Sequence, residues 1–246
     1  MKNKIGWCNT TWNPVWGCLN NNCEYCYARR IAKRFAGKIA EREIDYIYGG
    51  NIDGNSLNSY YEIQKEIIRK FKPTFLNVQF EKKFPQKTQK IFVGSMSEIK
   101  YWKKEWVGMI LEKIRQHPQH IFQFLTKFPG VYLWYKFPIN CWLGITVTDT
   151  KNNDYLEYQK FKISNPDNLK FISFEPIFNE ISINLENIDW VILGAETGNR
   201  KGKIIPKKGW IENIVNYCKS NKIPIYLKDS LKEIYPEEIK EFPKIN

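Results

Sequence analysis

The chain has 246 residues, 43% of them hydrophobic and 15% aromatic, with 38 Lys and Arg against 26 Asp and Glu for a formal charge of +12. That composition and length allow one large core and exclude a disordered tail, and no apolar run reaches the roughly 20 residues that span a bilayer. The basic excess admits a polyanion such as a nucleic acid as partner, with a Lys-rich solvated surface as the equal alternative.

In chain order, residues 7–15 read as a first strand made irregular by Asn13 and Pro14. A cysteine-rich loop follows, and residues 27–42 then have the periodicity of a basic helix carrying Arg29, Arg30, Lys33 and Arg34. Residues 46–58 (YIYGGNIDGNSLN) are rich in Gly and Asn and predict a surface loop. A helix over 59–71 and a strand over 74–80 (TFLNVQF) come next. Strand 90–97 (KIFVGSMS) leads to a helix over 102–117 that turns Trp106, Met109, Ile110 and Ile114 inward, and strand 120–127 (HIFQFLTK) follows. Strands 141–148 (CWLGITVT), 169–176 (LKFISFEP), 190–196 (WVILGAE) and 223–229 (IPIYLKD) complete the series. Segments 131–139 and 177–187 are too short or broken for helices, whereas 209–221 predicts one with Trp210, Ile214, Tyr217 and Cys218 inward.

Strands alternating with helices point to βα units on a mainly parallel sheet. The expected fold class is α/β, a (β/α)-type barrel of eight mainly parallel strands forming a single domain over residues 1–246, with the loop insertion at 46–58. Ligand chemistry gathers at the C-terminal ends of such strands. Those ends carry Gln79, Ser95, Ser97, Thr126, Lys127, Thr146, Thr148, Glu175, Glu196, Lys228 and Asp229.

The stretch TWNPVWGCLNNNCEYCYARR holds Cys18, Cys23 and Cys26 in a C-x4-C-x2-C arrangement. Thiolates are soft ligands for zinc or iron, and a close pair can chelate from one loop. Of the other cysteines, Cys8 is the best fourth ligand, while Cys141 and Cys218 read as core; His117 and His120 read as a helix end and a strand start. Three thiolates without a fourth suit a four-iron cluster with one open iron. The cysteines are neither dense nor regularly spaced, and no signal peptide opens the chain, so a reducing cytoplasmic setting is expected.

The cysteine spacing and the aromatic residue before the last cysteine resemble radical S-adenosylmethionine enzymes, whose usual spacing has one residue fewer in the first gap. The chain as a whole is similar to a narrower family of phage- and prokaryote-encoded radical-SAM-like proteins whose domain is of unknown function. The similarity runs through TWNPVWGC and CEYCYA, KIFVGSMSE, HIFQFLTK, WLGITV, KFISFEPI, DWVILGAETG and IPIYLKD, in order. It implies a radical-SAM-like barrel with the cysteine loop after the first strand, a [4Fe-4S] cluster on Cys18, Cys23 and Cys26, and S-adenosyl-L-methionine as cofactor. Tyr25, Gln79, Ser95, Ser97, Thr146 and Glu196 become candidate cofactor contacts, although VQFEKKF at 78–84 lacks the glycine-rich segment usual in the superfamily.

Lys127, Glu175, Lys228 and Asp229 become candidate catalytic groups. The implied activity is generation of a 5'-deoxyadenosyl radical and hydrogen abstraction from an unidentified substrate, with a nucleic acid base or nucleotide as candidate. An external one-electron donor such as a flavodoxin or ferredoxin would serve it, and the chain is expected to be a monomer without a membrane partner. The alternative is a zinc- or cluster-bearing nucleic-acid-binding protein without turnover.

Overall fold

The computed structural model describes residues 5–21, 23–49, 55–148, 154–182 and 184–244. The chain divides into two compact units, residues 10–120 and residues 1–9 with 121–246. Strands β1 (Thr10–Trp12), β4 (Lys90–Val93), β5 (Ile121–Thr126), β6 (Cys141–Thr146), β7 (Lys170–Phe174), β8 (Trp190–Leu193) and β9 (Ile225–Leu227) lie in that order in one seven-stranded sheet. Strands β2 (Val15–Trp16) and β3 (Thr74–Phe75) form a separate antiparallel pair.

The expected closed barrel of eight strands is therefore corrected to a seven-stranded parallel sheet whose strand order begins at β1 and ends at β9 without closing. The difference arises at residues 74–80. There β3 pairs with β2, and the chain then turns into the short helix α3 (Asn77–Phe80). Glu43, on helix α1 (Tyr27–Tyr48) and only 2% exposed, accepts hydrogen bonds from Asn77 N, Asn77 Nδ2 and Val78 N at 2.6, 2.8 and 3.1 Å. A carboxylate placed on the orphan N–H groups of a helix start favours the turn over a strand. The period-2 pattern of TFLNVQF carries no trace of that long-range cap.

In the unit formed by residues 10–120, α1 presents Ala28, Ala32, Ala36 and Ala40 to a core of Trp16, Ile68, Phe71, Leu76 and Met96. Four alanines at i, i+4 spacing let the helix approach closely on that face. Helix α2 (Asn55–Arg69) packs against α1. The residues expected to loop at 46–58 thus belong at one end to α1 and at the other to α2, and 50–54 lie outside the described residues. Gly17 has φ +91°, and a Cβ there would lie 2.2 Å from the Lys72 carbonyl oxygen, so glycine alone fits the turn before the cysteine loop.

In the other unit, β5 to β9 are almost wholly buried, as parallel strands covered on both faces are. Alternation and register put Trp142, Phe171, Trp190 and Tyr226 on one face, where Trp190 meets Trp142, Phe171 and Tyr226 at centroid distances of 5.7, 5.4 and 6.4 Å. Trp7, from the start of the chain, packs on Phe171 and Trp190 at 6.1 and 6.2 Å. Gly144 leaves room for the Phe171 ring, which an added Cβ would meet at 2.2 Å. The outer edge of β9 is covered by residues 239–241, which form an antiparallel bridge through Lys240 and Tyr226: Leu227 N donates to Ile239 O at 2.9 Å and Glu241 N to Ile225 O at 3.0 Å.

Helices α4 (Lys104–Arg115) and α6 (Lys208–Ser220) form as expected but are rotated from the expected phase. Val107, Ile110, Leu111 and Ile114 are buried on α4, with Met109 45% exposed, and Ile211, Ile214, Val215 and Cys218 are buried on α6, with Tyr217 38% exposed. Helix α5 (Asp154–Ile163) had no counterpart in the sequence pattern, because its buried Tyr158 and Phe161 are flanked by charged residues rather than a full apolar stripe. No helix among the described residues is long and apolar enough to cross a membrane.

Candidate ligand site at the strand ends

The strands that end beside one another in the second unit bring an acid and a base together. Phe174, Leu193 and Leu227 are in register on β7, β8 and β9, so the next residues, Glu175, Gly194 and Lys228, stand side by side. Lys228 Nζ donates to Glu175 Oε1 in an ion pair whose side chains are only 19% and 25% exposed. The pair reaches across the intervening strand because that strand has no side chain there. A Cβ on Gly194 would lie 3.0 Å from Glu175 Cδ and 3.1 Å from Lys228 Cδ. Backbone bonds fix the three positions: Gly194 N donates to Phe174 O at 3.0 Å and Lys228 N to Leu193 O at 2.9 Å. The Glu175 to Pro176 peptide bond is cis.

Ser173 lies two residues below Glu175 on the same face, level with Thr146 on β6 and Ile192 on β8. It is 0% exposed, and its hydroxyl has no hydrogen-bond partner among the described residues. Most buried hydroxyls are satisfied, so an orphan at the floor of a charged pair is informative. Beneath it the same face is aromatic, with Phe171 beside Trp190.

Glu196 is buried at 4% exposure and held by Arg200 in a two-point pair, Nε to Oε1 and Nη2 to Oε2, each 2.8 Å. This fork geometry fixes the loop after β8. Ser230 Oγ accepts from Ala195 N at 3.0 Å, tying the ends of β8 and β9. Asp229 faces outward, its side chain 74% exposed and paired with Lys240 at 2.9 Å and Lys232 at 3.4 Å. Those lysines hold its carboxyl below the usual range, the hydrogen bond from Lys240 first. Lys127 follows the end of β5, and Thr146 ends β6. The structure thus brings Glu175 and Lys228 together, whereas Asp229, expected beside Lys228, pairs with Lys240 and Lys232 instead; Gly194, Ser173 and Arg200 were not among the residues the sequence singled out. A glycine in register between an acid and a base, and the i, i+4 spacing of Glu196 and Arg200, were the available signals.

The remaining candidates lie in the unit of residues 10–120, each engaged in local structure. Gln79 belongs to α3, and its carbonyl accepts from Trp12 Nε1 at 2.8 Å. Ser95 Oγ donates to Asn13 Oδ1 at 3.0 Å, and its carbonyl accepts from the Tyr27 hydroxyl at 2.5 Å. Ser97 Oγ accepts from Trp102 Nε1 at 3.1 Å. Tyr25 is half-buried in the turn that leads into α1.

Cys26 is the N-cap of α1 and accepts from Arg29 N at 3.4 Å, while Cys18 accepts from Asn20 N at 3.3 Å. Both pack against the alanine-faced core. Burial pushes the Cys18 thiol up to about 11. Cys23 is half-buried, and its carbonyl accepts from Cys26 N at 3.0 Å. Cys8 is buried, and all six cysteines are free of disulfides. Among the described residues, no group of three or more His, Cys, Asp or Glu side chains is disposed to hold a metal ion.

That finding corrects the three-cysteine cluster and what was built on it: the [4Fe-4S] and S-adenosyl-L-methionine cofactors, the radical enzyme, the one-electron donor, the nucleic acid or nucleotide substrate, and the zinc-bearing alternative. The resemblance to radical-SAM-like proteins is corrected with them. Residues 2–238 match the family described as Protein of unknown function (DUF5131), and the chain belongs to that family. No curated protein and no solved structure matches it.

Proposed function

We propose that this DUF5131 protein binds a small polar molecule at the C-terminal ends of β7, β8 and β9, gripped by Glu175 and Lys228. The observation that carries this reading is the partly buried ion pair drawn across Gly194. A stabilising ion pair needs no gap in the strand between its partners. A glycine there gives the space over β8 to the two charged side chains, at the strand ends where parallel sheets present polar groups to ligands. The pair sits among buried apolar strands, so its charges act in a lower dielectric than surface pairs do. Lys127 and Thr146 extend the polar rim, Glu196 and Arg200 hold the loop beside it, and Asp229 anchors Lys240 outside.

No bond-making step is assigned to any of them. In the same reading Ser95, Ser97, Gln79, Tyr25 and the three cysteines of the loop serve local structure. Six cysteines without disulfides support a cytoplasmic setting.

A screen of polar metabolites by thermal shift on the full chain tests the proposal. Ligands that raise the midpoint of the wild type should lose that effect in Lys228→Met and in Gly194→Val, with far-UV circular dichroism unchanged. An undiminished shift in both variants would refute the site.

A further inference from the structure

We infer that the ligand is a zwitterion of the α-amino-acid type, with its carboxylate on Lys228, its ammonium on Glu175 and a further polar contact to Ser173. This rests on the binding proposal above and narrows it to one chemical class.

Charge balance comes first. Glu175 and Lys228 neutralise one another with side-chain exposures of 25% and 19%. An anion alone would take Lys228 and leave a half-buried carboxylate beside it. A cation alone would do the reverse. An uncharged molecule would part the pair and replace neither partner, although unpaired buried charge is strongly disfavoured. A molecule carrying both signs exchanges one ion pair for two and leaves no charge stranded.

Spacing comes second. Glu175 and Lys228 sit on strands separated only by β8, so their backbones stand roughly 10 Å apart at two interstrand spacings. Their side chains lean inward over Gly194 until they touch. Rotation of either side chain opens a gap over the glycine while its backbone stays fixed. An ammonium and a carboxylate borne on a single carbon are compact enough to enter that gap together.

The orphan hydroxyl comes third. Ser173 is fully buried without a partner among the described residues, on the face that Glu175 crowns, roughly 7 Å along the strand. Aromatic rings occupy the same face below it. A group that satisfies Ser173 must therefore arrive from the side of the ion pair, and a carboxylate oxygen shared with Lys228 can accept its proton. The same site thus offers a cation, an anion and a hydroxyl donor within one small volume.

The test is calorimetric titration of the full chain with each of the twenty standard L-amino acids, and with the deaminated acid and decarboxylated amine of any that bind. At least one amino acid should bind saturably, about tenfold or more tighter than its acid or its amine. Binding should be lost in Lys228→Met and in Glu175→Gln. Ser173→Ala should weaken it about three- to tenfold while leaving the melting midpoint of the free protein unchanged or higher, because the removed hydroxyl has no partner among the described residues. Equal binding of the acid or the amine would overturn the zwitterion and leave the broader site standing. Amino-acid binding that survives both charge variants would overturn the site itself. If no amino acid binds while another polar metabolite is lost in Gly194→Val, the inference falls and the broader reading holds.

Discussion

Single residues here differ in how far their partners lie in sequence, and that decides what their removal does. Lys228→Met leaves Glu175 without its partner in a half-buried position. It should lower unfolding stability by about 1–2 kcal/mol, less than the loss of a fully buried pair because water reaches both groups. The double variant Glu175→Met with Lys228→Met should recover most of that, as read from urea midpoints in a double-mutant cycle; additive losses would show that the two residues do not interact. Cys18 makes a pH prediction. Its thiol is raised by burial from an ordinary 9.0 to about 11, so the folded chain keeps a proton that the unfolded chain releases between those values. The stabilisation is complete below pH 9 and is lost as the pH rises toward 11. The fall in urea midpoint between pH 8 and pH 10.5 should therefore be smaller in Cys18→Ala than in the wild type.

At the scale of elements, most strands were legible because each is a short buried apolar run, and such runs identify themselves. Residues 74–80 were not, since the choice between strand and helix there lies with Glu43, more than thirty residues earlier. Glu43→Ala should therefore cost about 1–3 kcal/mol, as it leaves three part-buried donors on α3 without their acceptor, whereas Glu43→Gln should retain part of the cap; no measurable loss in Glu43→Ala would show that the cap is unimportant. Gly144→Ala should cost at least about 1–3 kcal/mol, because the new methyl would enter the Phe171 ring and adjacent buried strands limit relaxation. Helix phase was legible only to within one residue. Trp106, Met109 and Tyr217 are apolar enough to be read as inward, yet the buried stripes run through Val107, Leu111, Ile211 and Val215. Of the candidate site, the charged residues at strand ends were visible, but the glycine and serine that shape the space around them have no charge to attract notice.

For the molecule as a whole, two features of the sequence invited more than they could support. The three clustered cysteines carried a cofactor, a reaction and a set of partners with them, and all depended on side-chain convergence that spacing does not determine. The net charge of +12 is expressed in part along α1, where Arg30, Lys33, Arg34 and Lys38 are exposed. Self-repulsion of that kind is screened by salt, so the melting midpoint should rise between 0.05 and 0.3 M sodium chloride; a flat response would show that the positive charges are already compensated.

The strap over β9 has a different consequence. A parallel sheet that stays open leaves strand edges whose unpaired N–H and C=O groups can template another copy. Residues 239–241 meet that demand from within the same chain, and a tethered segment outcompetes a free one through its high effective concentration. A chain ended after residue 238 would lose this internal competitor together with the buried Ile239 and the Phe242 ring on Trp190, and light scattering should find it associating at concentrations where the full chain does not. Those last few residues would then act less as a tail than as a chaperone built into the fold.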